Sequence, residues 1–345
     1  MKNDTQLGIR FAAITAFIAG MACSSHDGAA FGSNGSGGVT GAGIVVGGQN
    51  AGSGAPSSGG AAAGETSPPS ASTGLFTVAP VQSSPCSNAD ISVLFVIDRS
   101  GSMNCNLPPI TASADCEALS PPAKVDVTQP SKWEVITQTL SQSLGELAMQ
   151  DGAAHVRVGL AYFSVDGVCG ASSTPAVPVD VATRAQLDLM SQSLAKQKPN
   201  GGTPIVGATV LAYKELYQTL AVSGNAHVIL ITDGKDSCAD YYAAQPSIGP
   251  GDQVARLITG EAPAALDVGI KTWVIGAPGS EIARSTLSNL AIAGGTRRSD
   301  DCVPGSATDP TVGDCHYDMT TGDFQATLTT ALQHILKVVT CQVVR

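Results

Sequence analysis

Three oxygen-bearing side chains stand at alternate positions in the stretch Ile91 to Met103, which reads I-S-V-L-F-V-I-D-R-S-G-S-M: Asp98, Ser100 and Ser102. A donor set of one carboxylate and two hydroxyls suits Mg2+ or another hard divalent cation such as Mn2+ or Ca2+. Alternate residues of an extended turn point the same way, so all three can converge on one ion. Gly101 lets the backbone turn tightly between the serines. Two further pieces follow. Gly201-Gly202-Thr203-Pro204 adds a hydroxyl beside two glycines that allow close backbone approach, with Pro204 suited to the first turn of a helix. Val228 to Gly234 (V-I-L-I-T-D-G) ends in Asp233. Each piece has a plainer reading: serines and Thr203 as helix caps, Asp233 as a turn residue before Gly234. The cation-site reading rests on the three pieces together.

The elements that must position these groups are legible around them. Ile91–Ile97 is almost continuously apolar and rich in β-branched residues, as in a strand buried on both faces of a parallel sheet. The Val228 run is alike, and both deliver their carboxylates to the carboxyl edge, where open α/β sheets bind ligands. Apolar spacing predicts helices over 131–150, 184–198, 204–220, from Gln253, over 282–293 and over 322–337. The stripes are Trp133, Ile136, Leu140, Leu144 and Leu147, then Leu187, Met190 and Leu194. The 204–220 helix would turn Val206, Val210, Tyr213 and Leu216 or Tyr217 inward. The last helix would bury Phe324, Leu328, Leu332 and Ile335 or Leu336. Strands are predicted over 155–163, 177–181 (an antiparallel edge), 271–276 and, briefly, 316–319. The alternation specifies an α/β fold with a doubly wound, mostly parallel central sheet flanked by helices.

At D98-x-S100-x-S102, Thr203 in G-G-T-P and Asp233 in T-D-G, the chain resembles the von Willebrand factor A-type (VWA) domain family with its metal-ion-dependent adhesion site. The resemblance covers roughly Pro85 to Arg345. It implies that Ser100, Ser102 and Thr203 ligate the metal directly and that Asp98 and Asp233 do so directly or through water. It further implies an open coordination position for an acidic group of a partner. VWA domains commonly enter their first helix soon after the serines; here a loop-like insertion, 103–129, intervenes.

Composition limits the alternatives. The 345-residue chain carries a formal net charge of −10 and 13% charged residues, with no clustered basic patch, so no nucleic-acid partner is expected. Residues 1–22 read as a signal peptide: Lys2 and Arg10, then an apolar Phe11–Ala22 too short to span a bilayer. Gly20-Met21-Ala22-Cys23 resembles a bacterial lipoprotein processing site, which would make Cys23 a lipidated membrane anchor; plain cleavage after Ala22 is the other reading. Residues 23–84, dominated by Gly, Ala and Ser, read as a flexible tether that cannot bury enough surface to offset chain entropy. The expected location is therefore a membrane-anchored lipoprotein of the outer membrane or cell surface, or else a periplasmic or secreted protein.

Nine cysteines less Cys23 leave eight, an even number in an exported chain. The inferred fold pairs Cys86 with Cys341, Cys105 with Cys116, Cys169 with Cys238, and Cys302 with Cys315; a mixture of free buried thiols is the competing reading. None of His26, His155, His227, His316 and His334 sits in a zinc motif, and no nucleophile elbow or phosphate loop is present. His155 and His227 are expected ahead of strands, at the edge opposite the metal. The acidic loop 299–318 misses the spacing of a Ca2+ loop. Asp236 and Asp240 read as rim or exposed turn carboxylates. The leading expectation is an envelope or surface adhesion module with no enzymatic activity. The alternatives are a disulfide-stapled structural component of an envelope complex and, distantly, a metal-assisted hydrolase.

Overall fold

The computed structural model describes residues 90–108, 113–147, 155–165, 167–219, 225–238, 252–304 and 315–340. The chain divides into units 1–75 and 76–345, and all described residues belong to the second. The signal peptide, Cys23, the tether, Cys86, Cys341, Asp240, Asp309 and Asp314 lie outside the described residues.

Six strands form one sheet in the order β3-β2-β1-β4-β5-β6. They are β1 Ile91–Asp98, β2 Val156–Phe163, β3 Val177–Val181, β4 Asn225–Thr232, β5 Ile270–Gly276 and β6 Tyr317–Asp318. Only β3 runs antiparallel, at one edge. Its Pro178 is tolerated there because an edge strand has a ladder side that needs no donor. At the other edge, β6 covers the top of β5. Below it, Gly294 accepts from the Thr272 amide at 3.0 Å and the Thr296 hydroxyl donates to the Thr272 carbonyl. That edge of β5 is thus capped by its own chain, which blocks strand addition there.

The helices are α1 Ser113–Glu117, α2 Lys132–Leu147, α3 Arg184–Lys196, α4 Ile205–Thr219, α5 Gln253–Arg256, α6 Ala262–Asp267, α7 Arg284–Ala293 and α8 Phe324–Val339. Strand β1 shows why they fall on two sides. Its Val93, Phe95 and Ile97 pack with α2, α3 and α8, while Leu94 and Val96 pack with α4, α6 and α7. Successive side chains of a strand face opposite ways, so a wholly apolar strand demands a helical layer on each face. Burying each such side chain contributes roughly 1.5–3 kcal/mol.

Several expectations need correction. The 204–220 helix buries Ile205, Ala208, Thr209, Ala212, Tyr213 and Leu216, whereas Val206 and Val210 are only partly buried and Tyr217 is exposed. Small Ala208 and Ala212 let the helix sit close to the sheet, which rotates the valines toward its flank. The helix from Gln253 is interrupted by a π turn, Leu257–Glu261, closed by the Ala262 amide on the Leu257 carbonyl. Pro263 lacks a donor for the regular ladder, and a π turn absorbs the shift. The 103–129 insertion is not wholly loop-like: it contains a 3-10 turn, Gly101–Asn104, overlapping its start, and α1. His227 lies within β4 rather than before it, and its Nδ1 accepts from the Trp273 indole at 3.2 Å.

Candidate metal site

Strands β1 and β4 are neighbours that continue to opposite sides of the sheet, so the crevice above their carboxyl ends is a topological switch point. Register puts Ile97 beside Ile231, so Asp98 and Thr232 emerge level with one another. Thr232 Oγ1 donates to Asp98 Oδ2 at 2.6 Å, and Asp98 Oδ1 accepts the Ser100 amide at 2.7 Å. The serine hydroxyls of Ser100 and Ser102 are 3.0 Å apart, and Ser102 Oγ donates to Asp233 Oδ1 at 2.9 Å. Asp98, Ser100, Ser102 and Asp233 are therefore joined by consecutive hydrogen bonds at the ends of two strands.

Thr203 reaches the same place through backbone contacts. The Gly101 amide donates to the Gly201 carbonyl at 2.9 Å, and the Asn200 amide to the Arg99 carbonyl at 2.7 Å. These lay the glycine turn directly on the serine turn. Gly201 has φ +87°, and a Cβ there would sit 2.2 Å from Ser164 Oγ, so no other residue fits. Thr203 exchanges hydrogen bonds with Ser237: its amide donates to Ser237 Oγ at 2.8 Å and its carbonyl accepts the Ser237 amide at 3.1 Å. The Cys169–Cys238 disulfide ties the segments on either side, and Gly202 donates to the Val168 carbonyl at 2.7 Å. Thr203 Oγ1 lies 4.0 Å from where a Gly234 Cβ would stand, which puts it beside the Asp233–Gly234 turn.

The helix-cap reading of Thr203 is answered elsewhere. Asp236 Oδ2 accepts the Val206 amide at 2.8 Å and Oδ1 accepts the Cys238 amide at 2.8 Å. Asp236 is thus a cap delivered from a neighbouring loop onto α4, neither a rim charge nor an exposed turn residue; burial pushes its carboxyl above the usual range. The spacing from Val206 to Asp236 is thirty residues, so no local pattern reveals it.

One residue of the site was not anticipated. Lys132, at the start of α2, is 1% exposed, and its Nζ donates to Asp233 Oδ2. The insertion brings it there by returning to its point of departure. Asn106 pairs with Ser131, its side chain binds the carbonyls of Asp126, Gln129 and Pro130, and the Lys132 amide donates to the Cys105 carbonyl at 3.0 Å. Cys105–Cys116 closes the excursion, and Pro122 packs on Gly101. A signal was available. Lys132, Ile136, Leu140, Ser143 and Leu147 share the buried stripe of α2, and a lysine on such a stripe needs a partner.

The electrostatics are set by two carboxylates close together out of water. Asp98 is fully buried, and burial followed by the nearby Asp233 charge pushes its carboxyl up to about 7, against the hydrogen bonds from Ser100 and Thr232. With both carboxylates ionised, two carboxylates and one ammonium leave the cluster one negative charge in excess. Among the described residues no group of three or more His, Cys, Asp or Glu side chains gathers to hold a metal. A hydroxyl-rich set with two carboxylates fits a hard cation better than zinc.

The sheet order is the one the resemblance implies, and Asp98, Ser100, Ser102, Thr203 and Asp233 lie together at its switch point. The chain has the doubly wound, mostly parallel α/β fold expected of it. No family model and no curated protein matches the sequence. Solved structures similar to this chain include the pilus adhesin SpaC from Lactobacillus rhamnosus GG, at 15% identity and TM-score 0.49, covering 74% of this chain and 31% of that one. Another is the vWF domain of the type V pili tip protein Mfa5 from Porphyromonas gingivalis, at 13% identity and TM-score 0.43, covering 74% and 97%. A third is the von Willebrand factor type A protein from Catenulispora acidiphila, at 14% identity and TM-score 0.43, covering 73% and 43%.

The remaining predicted sites are structural. Cys105–Cys116, Cys169–Cys238 and Cys302–Cys315 are bonded as expected. In the acidic loop, Asp300 pairs with Arg297 at 2.7 Å, Asp301 accepts from Ser299, and Asp318 pairs with Arg284 at 2.5 Å. His227 is level with Val93, five residues below Asp98, or roughly 16 Å along the strand. It cannot pair with Ser100 or Ser102.

Proposed function

We propose that the chain is an exported adhesion module that recognises an acidic group of a protein or other surface ligand through a bound Mg2+ or similar hard cation. Ser100, Ser102 and Thr203 would offer hydroxyls to the ion, with Asp98 and Asp233 binding directly or through water. The ion would supply a Lewis-acidic coordination position for the partner's carboxylate. A divalent ion added to a cluster carrying one excess negative charge leaves it net positive, so it attracts an anion despite the acidity of the chain. The observation that carries this reading is the run of hydrogen bonds that links Thr232 Oγ1 to Asp98, Asp98 to the Ser100 amide, and the Ser100 hydroxyl through Ser102 to Asp233. Lipidation of Cys23 and the tether of residues 23–84 would hold the module at the membrane.

The decisive test is Mg2+ calorimetry on wild type and Asp98→Ala, with folding checked by circular dichroism. Loss of binding in a folded variant is the expected result. Undiminished Mg2+ uptake by the variant would remove Asp98 from the site and the reading with it. Crosslinking on intact cells should then capture a partner, and chelator added beforehand should abolish the capture.

A further inference from the structure

The Lys132 ammonium is aimed into the candidate metal site from outside the oxygen set, and the surroundings are built for it. Lys132 Nζ donates to Asp233 Oδ2, while Asp233 Oδ1 takes the Ser102 hydroxyl. Each Asp233 oxygen thus has its own partner, and the carboxylate plane is set by two different segments. The side chains of Lys132 and Asp233 are 2% and 0% exposed, so the pair is shielded from water. Gly279, after β5, makes room: it has φ +110°, and a Cβ there would stand 3.0 Å from Lys132 Nζ and 2.9 Å from the Asp233 carbonyl.

Charge explains why a lysine belongs there. Without Lys132, Asp98 and Asp233 would be two buried carboxylates with no compensating cation, an arrangement that costs several kcal/mol per ion. A divalent ion could supply that compensation, and so could a tethered ammonium. We propose that Lys132 is a built-in counter-cation of the metal site: it holds the oxygen cluster assembled before metal arrives, and its positive charge weakens Mg2+ binding so that the ion is exchangeable. The inference rests on the cation reading of the site and concerns how that site is regulated.

The test compares wild type, Lys132→Met and Lys132→Arg in two readouts: Mg2+ affinity by calorimetry and melting temperature across a Mg2+ titration. Methionine keeps the apolar stem and removes the charge. The metal-free Lys132→Met protein should melt lower than wild type and be rescued by Mg2+. Its affinity should rise at least about tenfold, since a unit charge a few ångströms away is being deleted. Lys132→Arg retains the charge and should stay nearer to the wild-type affinity than the methionine variant. Should Lys132→Met bind Mg2+ no tighter than wild type, or remain unfolded at saturating Mg2+, Lys132 is a positioning residue and the counter-cation role is overturned. Wild type that binds Mg2+ alongside a variant that binds no tighter sinks this inference alone. Binding by neither protein sinks it together with the adhesive reading.

Discussion

Two buried ion pairs sit near the carboxyl edge of the sheet, and they are built to opposite ends. Arg284–Asp318 joins α7 to β6. Arg284 also donates to Thr320, and Asp318 Oδ1 takes the Thr320 amide at 3.0 Å and its hydroxyl at 2.7 Å. One cation meets one anion, the remaining lone pairs are filled, and the Thr320 hydrogen bonds together with Arg284 hold the Asp318 carboxyl below its usual value against burial. Lys132–Asp233 is as deeply buried, yet a second carboxylate, Asp98, stands in the same cluster and is pushed up to about 7. The first pair is closed. The second leaves a negative charge unmatched, surrounded by hydroxyls. Burial alone therefore does not tell the two pairs apart; charge balance does.

Arg284 is where the two pairs separate most clearly. Arg284→Met strands a buried Asp318 and should destabilise the domain by about 3–5 kcal/mol. Mg2+ affinity should be untouched in the folded fraction. Urea denaturation with parallel calorimetry reads both, and a loss of metal binding without a loss of stability would show that the two pairs are not separate devices.

Acidity sharpens the contrast next. His316, bonded through Nδ1 to Ser288 at 2.8 Å, is pushed down to about 4, and His227 to about 3, chiefly by burial. Both fold as neutral rings. Between pH about 6.5 and about 4 these two rings bind more protons in the unfolded chain than in the native one, so their contribution lowers stability as pH falls, opposite in sign to that of Asp98. Each histidine contributes a slope of about 1.4 kcal/mol per pH unit across that window. His316→Gln should flatten the pH dependence of the urea midpoint by one such increment; an unchanged slope would mean that the ring is already charged in the native state.

The smallest expected effect lies in the support of Thr203. Ser237→Ala removes the hydroxyl that accepts the Thr203 amide and should weaken Mg2+ binding by up to about tenfold with little change in stability. Affinity that does not move would show that the disulfide-tied segments hold Thr203 without it.

Much of this site was legible because its chemistry is written in short runs. Asp98, Ser100 and Ser102 lie within five residues, and an apolar strand directly before them fixes which edge they reach. The closing helix was equally plain: Phe324, Leu328, Leu332, Ile335 and Leu336 are all buried. What escaped was set by partners distant in the chain. Asp236 looked like a surface turn because its two amides belong partly to α4. The face of α4 was misjudged because valines outweigh alanines in an apolar count, although alanines permit the closer approach. Lys132 opens a stretch that reads as an ordinary amphipathic helix, and its partner lies 101 residues further on.

By itself the sequence determined the α/β alternation, the strand ends that carry the carboxylates and the residue types able to hold a hard cation, because periodicity and side-chain chemistry are local properties. Only the tertiary structure decided that a lysine returns across the insertion to share Asp233. Charge balance in a buried cluster is a sum over segments that meet only when the chain has folded.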